Sequence, residues 1–331
     1  MNVIRKNSPH VFLFLCLSYC IFSLFIYPMN IGIDQAMYLH SGKLILAGQR
    51  PFVDFFDINP PVIMYLSAIV VWFSKIFSTH EILMFKIFLV VLILFFLHIL
   101  NKFFQKLYGH TKSLFFVSLI CLAFSNHTVV GTLGQRDFLF TLGLILYLLL
   151  RYFRLDSYNS SVSKLCSIFI AVIFSITTCF KPFFLFHFIL TEMYIFLNNR
   201  KKKIDIEIYI IVILQALFGL YLLTLKEPAL SNFWVKHVPS VYNYYSSFRF
   251  YPKYKFDLDD AILTMASFIF TILGFRFKNI GTYQRILFLN LIIASMNYFL
   301  QSKFFLYQII TIELILFLIS SDNTVKSECT L

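Results

Sequence analysis

The chain has 331 residues, of which 59% are hydrophobic, 19% aromatic and only 13% charged, with a mean hydropathy of +0.79. A water-soluble domain carries roughly 25% charged residues, so the composition excludes an ordinary soluble globule and indicates an integral membrane protein. The net charge of +12 does not indicate nucleic acid, because the cations gather in short stretches between apolar runs, the pattern that orients membrane proteins.

Apolar runs lie near 10–28, 61–78, 82–100, 113–130, 137–153, 164–180, 182–198, 206–225, 260–275, 285–300 and 303–320. A spanning helix needs about 20 apolar residues, and only helices or closed barrels satisfy their backbone in lipid. The runs do not alternate, so they predict helices. The expectation is an all-α polytopic membrane protein of about ten transmembrane helices, forming one integral domain over 1–331. The first run lacks a small-residue cleavage site after it and is read as a retained helix. The six cysteines show neither metal-type spacing nor a secreted framework.

The second run decides the topology. If 61–78 crosses the bilayer, an inside N-terminus places "NNRKKK" (198–203), Lys102, Lys106, Arg151 and Arg154 outside. If it lies in the interface, all of them fall inside, as short cytoplasmic loops prefer. The second arrangement is adopted. Pro60-Pro61 is a helix start, and Trp72 and Lys75 on an apolar body suit a surface helix. The stretch 29–81 then becomes a first outer loop with interfacial helices. Residues 131–137, 179–182, 226–258 and 300–303 fall on the same outer face, so the clusters that carry chemistry share one side.

The first cluster is "GIDQAMYLHSGKLILAGQRPFVDFFDINPPVIMYL" (32–66). Asp34 opens a helical run over 35–47 that ends at Gly48. It reads as an N-cap, as a general base for a hydroxyl, or as both. Asp54 and Asp57 flank two phenylalanines before Asn59-Pro60-Pro61, as a polar turn or as substrate contacts. "GQRD" places Arg136 and Asp137 at the start of an apolar helix, where they serve the helix dipole or bind a phosphate or sugar. Lys181-Pro182 sits between two apolar runs, snorkelling or pairing with an anion. Glu192 and Glu313 lie deeper in their helices, and no partner for Glu192 is readable. Loop 226–258 includes Trp234, Tyr242, Tyr244, Tyr245, Phe248, Tyr251 and Tyr254 with several cations, for an interfacial belt or for stacking on sugars. "QSKFFLYQ" (301–308) puts Lys303 and Tyr307 four apart on one helical face, as interfacial anchors or as contacts to a lipid phosphate. The eight histidines show no paired metal spacing.

Taken in order, "D-x-x-x-Y…G-Q-R-P-F-V-D-F-F-D-I-N-P-P-V-x-x-Y-L", "G-Q-R-D", "K-P-F-F" and "Q-S-K-F-F-L-Y-Q" resemble bacterial multi-pass glycosyltransferases of the GT-C superfamily. They are similar to lipid A aminoarabinose transferases and protein O-mannosyltransferases. The resemblance implies a GT-C-like fold, a polyprenyl-phosphate sugar donor, a lipid or glycan acceptor, and reaction on the outer face of the bacterial inner membrane with a cytoplasmic N-terminus. It assigns Asp34 as the base and Asp137 as the acid that opens a later span. Lys181 and Lys303 correspond to basic residues at later outer ends. It also implies inversion at the sugar carbon. Where related sequences often carry Glu-His and Tyr-His, this chain has Asp137-Phe138 and Tyr307-Gln308. No cofactor is implied, and nothing in the spacing indicates a divalent metal, although the chemistry is compatible with one.

Two other functions compete. A transporter or flippase of lipid-linked sugars needs polar groups along several spans and often repeated halves. An envelope polysaccharide polymerase also has many spans and a long outer loop. The first-loop "D…D-x-x-D-x-N-P-P" favours the transferase.

Overall fold

The protein is described by a computed structural model. It describes residues 2–27, 29–55, 60–129, 133–155, 162–198, 204–225, 228–240, 243, 282–301 and 311–319. All regular structure among these residues is helical, and an isolated bridge joins Pro51 to Phe55. The chain runs through α1 (Asn2–Phe25), α2 (Ile33–Leu46), α3 (Pro61–Ile76), α4 (Glu81–Tyr108) and α5 (His110–Val129). It continues through α6 (Arg136–Leu155), α7 (Lys164–Thr178), a 3-10 turn (Pro182–Phe184), α8 (Leu185–Asn198) and α9 (Ile206–Leu223). The short α10 (Ala229–Ser231), a π-helical segment (Asn232–His237) and α11 (Thr282–Gln301) follow, and residues 311–319 are helical.

Among the described residues four segments are long and apolar enough to cross a membrane: Ser8–Phe25, α4, α6 and α9. At 1.5 Å per residue such helices cover the hydrocarbon core of about 30 Å. Helix α3 and the segment Pro182–Asn198 are apolar but shorter. Run 260–275 and much of loop 226–258 lie outside the described residues.

The helices fall into two compact units, Met1–Gly48 with Ile63–Phe138, and Gln49–Val62 with Leu139–Leu331. In the first, α1 lies along α5, and Phe12 stacks on Phe115 at 6.1 Å. Where α1 ends, its last carbonyls need donors. The buried ammonium of Lys86 on α4 supplies them, donating to Leu24 O at 2.9 Å and Tyr27 O at 2.6 Å. A lysine in an apolar run is thus a C-terminal cap reaching across from another helix. Helix α2 packs on α3 through Gly42, and Leu39, Val70, Val71 and Met84 bury together. A Cβ on Gly42 would lie 2.7 Å from Ala68 N and 2.7 Å from the Ser67 carbonyl carbon. Such backbone-to-backbone approach is what small residues allow in membrane helix pairs.

In the second unit α6 is the core helix. Its Phe140 stacks on Phe184 at 3.9 Å, and its Tyr147 on Phe174 at 4.3 Å. Gly143 repeats the device seen at Gly42: a Cβ there would meet Thr177 Oγ1 at 2.7 Å and Phe174 Cα at 3.2 Å.

One expectation about local structure is corrected. Asp34 is not the N-cap of α2. The cap is Gly32, with extended backbone and no side-chain cap bond. Asp34 stands in the first turn, where a carboxylate meets the positive end of the helix dipole.

The two glycine environments predict opposite outcomes for one substitution. Gly42→Ala forces α2 away from α3 and costs about 1–3 kcal/mol, as overpacking does. Gly219→Ala, in a helix with nothing within 4 Å, is neutral or stabilising by about 0.5–1 kcal/mol. Thermal unfolding in detergent micelles compares them, and equal midpoints would refute the close α2–α3 approach.

Candidate functional site

The first unit joins two of the sequence clusters. The loop ahead of α6 is buried from Leu133 onward, with Gln135, Arg136 and Asp137 all under 9% exposed. Gly134 takes φ +83, and a Cβ there would clash with Phe85 at 2.6 Å. Only glycine suits both the positive φ and the lack of space. A loop carbonyl buried in this way needs a donor. Gln35 on α2 provides it, its Nε2 donating to Leu133 O at 2.9 Å.

One turn further along α2, the buried Tyr38 presents its ring to Arg136, whose guanidinium carbon lies 5.9 Å from the ring centroid. That is within cation–π range. Asp34 is half-buried and four residues before Tyr38, hence on the same side of α2. The start of α2 and the start of α6 therefore meet through Gln35 and Tyr38, although about a hundred residues separate them.

Asp54 and Lys181 belong to the second unit. Asp54 is exposed, in a turn it closes itself: Arg50 N donates to Asp54 Oδ2 at 2.8 Å and Arg50 Nε to the same oxygen at 3.2 Å. Those bonds, with the charge of Arg50, hold the Asp54 carboxyl below the usual carboxylate range. Here the polar-turn reading accounts for the geometry. Phe52 inside this turn takes φ +65, an outlier for a bulky residue. Lys181 is buried, not snorkelling. It caps the 3-10 turn with extended backbone, as a residue before proline prefers, and its ammonium lies 5.4 Å from the ring centroids of both Phe183 and Phe184. Asp57, Lys303 and Tyr307 lie outside the described residues.

The second unit also holds a charge cluster that sequence reading did not assemble. Arg151 Nε lies 2.8 Å from Glu192 Oε1. Its Nη1 donates to Asp205 at 2.8 Å and to Glu207 at 3.3 Å. Arg154 Nε donates to Glu207 Oε1 at 2.9 Å, and its Nη2 donates to Ser167 Oγ at 2.9 Å. Tyr147 OH donates to Glu192. The cluster ties α6, α7, α8 and the start of α9 together. Arg151 and Glu207 are fully enclosed, so their charges are tolerable only because they are paired. The partner of Glu192 is thus Arg151. Glu313 is exposed.

A second polar group lies between α8 and α11. His187 Nδ1 meets Asn290 Oδ1 at 2.8 Å, and Asn290 Nδ2 donates to Thr191 Oγ1 at 2.8 Å and to Ile286 O at 3.0 Å. On α9, Gln215 Nε2 donates to Ser175 O, Ser175 Oγ and Thr178 Oγ1 of α7 at 2.9, 3.0 and 2.7 Å. These groups are satisfied by one another across helices, which is how polar side chains join helices in lipid. Among the described residues no group of three or more His, Cys, Asp or Glu side chains is placed to hold a metal ion.

Comparison with family models, with curated proteins and with solved structures finds no match.

The charge cluster carries a stability prediction. Arg151→Met leaves Glu192, Asp205 and Glu207 facing Arg154 alone, and removing one partner of a buried pair costs about 3–5 kcal/mol. Lys43→Met breaks an exposed pair with Glu81 and costs at most about 1 kcal/mol. Unfolding of both variants in detergent gives the comparison. An Arg151→Met protein as stable as Lys43→Met would show that the cluster does not hold these helices together.

Proposed function

We propose that the chain is a GT-C-type glycosyltransferase. It spans the bacterial inner membrane about ten times, with its N-terminus in the cytoplasm, and moves a sugar from a polyprenyl-phosphate donor to a lipid or glycan acceptor on the outer face. The observation that supports this reading best is the assembly of α2 with the start of α6. The Gln35–Leu133 bond and the Arg136–Tyr38 contact leave a half-buried carboxylate, Asp34, on the side of α2 that meets the enclosed Arg136. Transfer from a lipid phosphate needs such a pairing of an acid that accepts a proton and a cation that receives phosphate charge.

In the reaction, Asp34 takes the proton of the acceptor hydroxyl. The acceptor oxygen forms its bond to the sugar carbon from the face opposite the phosphate. The bond from that carbon to the phosphate oxygen breaks, and its electron pair leaves with the polyprenyl phosphate. The guanidinium charge of Arg136 stabilises the departing anion. Asp137 contacts substrate. The enclosed polar groups of α7, α8, α9 and α11 bond each other, so they give no specific support to a transporter.

Asp34→Asn tests the base. Asn cannot accept the proton, and transfer falls by about two to four orders of magnitude, the usual contribution of a positioned base. Because Gly32 is the cap, the substitution loses only the dipole interaction, about 0.3–1 kcal/mol, and the unfolding midpoint hardly moves. Sugar transfer is measured in proteoliposomes at equal protein. Near-parental activity of Asp34→Asn would remove Asp34 as the base.

A further inference from the structure

Residues 229–240 are helical throughout and include the π-helical segment Asn232–His237. One side of this element is fastened to the turn 50–55 of the same unit. Asn232 Nδ2 donates to Phe52 O at 2.8 Å, and Phe233, which is buried, meets the Phe52 ring edge-on at 4.9 Å. The other side is apolar and outward, with Trp234 44%, Val235 67% and Val238 40% exposed. Lys236 is exposed with them, and residues 228–240 contain no acid.

Helix α9, which crosses a membrane by length and composition, ends at Leu223, six residues before Ala229. Most of α9 faces outward. At about 3.5 Å per residue, the connection keeps Ala229 within roughly 20 Å of the end of that span. An outward tryptophan flanked by valines and a lysine, held this close to a span, matches the chemistry of the bilayer interface. The ring and the aliphatic side chains enter the acyl boundary, and the ammonium stays among the phosphates.

We infer that residues 229–240 are a lipid-seated latch: Trp234, Val235 and Val238 enter the headgroup–acyl boundary, Lys236 meets lipid phosphates, and Asn232 and Phe233 hold the turn 50–55 at that depth. The latch explains why Phe52 keeps a left-handed backbone. Its carbonyl is turned towards the Asn232 amide and its ring towards Phe233, so two contacts offset the strain that such a φ carries. The inference does not depend on the chemistry proposed above.

The chain contains two tryptophans, Trp72 and Trp234, so Trp72→Phe leaves a single reporter. The full chain is reconstituted in phosphatidylcholine–phosphatidylglycerol vesicles carrying lipid brominated either high on the acyl chain or near its end. Trp234 emission is lost more to the shallow bromines than to the deep ones, and aqueous iodide quenches it weakly. Subtracting the emission of Trp234→Phe from that of the parent gives the same signal should Trp72→Phe not fold. Emission untouched by either bromolipid and quenched by iodide would overturn the inference in favour of water or a protein partner. Stronger quenching by the deep bromines would overturn it in favour of a buried span.

Discussion

The carbonyl of Leu133 lies in a buried loop, where water cannot reach it, and it must receive a hydrogen bond from protein. The Gln35 amide gives that bond from 98 positions earlier. With Gln35 committed, the rotation of α2 about its axis is set. Tyr38, one turn on, meets Arg136, while Asp34 stays half-buried and Gly42 lies against the backbone of α3. Gly134 completes the arrangement from the other side, because only a residue without a side chain fits against Phe85 and Leu89. The meeting of α2 with the start of α6 in the first unit follows from this one need for a donor.

The second unit is organised by charge in the same manner. Three carboxylates and two guanidinium groups meet where α6, α7, α8 and α9 approach. Desolvating them is costly, and their mutual attraction offsets that cost only while every partner is present. This gives the cluster specificity: a helix displaced by one turn would strand a charge in an apolar surround. It also bears on orientation. Arg151 and Arg154 are bonded inside the unit. The Lys/Arg asymmetry therefore rests more on 198–203, Lys102 and Lys106.

Much of the fold is legible in the sequence. The apolar runs 61–78, 113–130, 137–153, 164–180 and 206–225 correspond to α3, α5, α6, α7 and α9 with ends shifted by a few residues, because long apolar segments have no other way to satisfy their backbone in lipid. The ends were less legible. Asp34 looked like a cap, but Gly32 occupies that place, since extended backbone at the cap does not require a capping side chain. Lys86 gave no signal, because a lysine that caps another helix looks in sequence like a stray charge. Of the candidate site, the placing of Arg136 and Asp137 at a helix start was readable from "GQRD". Their meeting with α2 was not, because it depends on Gln35 and Tyr38, which no spacing rule marks. The pairing of Glu192 with Arg151 is hidden for the same reason: its members sit on two helices, 41 positions apart.

The central claim is that α2 and the start of α6 act as one substrate-handling unit. A double-mutant cycle tests it most directly, with Asp34→Asn, Arg136→Met and the double variant assayed for sugar transfer from a polyprenyl-phosphate donor in proteoliposomes. Groups acting on one reacting centre are non-additive, so the double variant should lose less than the product of the two single losses, with a coupling of about 0.5–3 kcal/mol. Losses that add within about 0.5 kcal/mol, the behaviour of independent sites, would contradict the account.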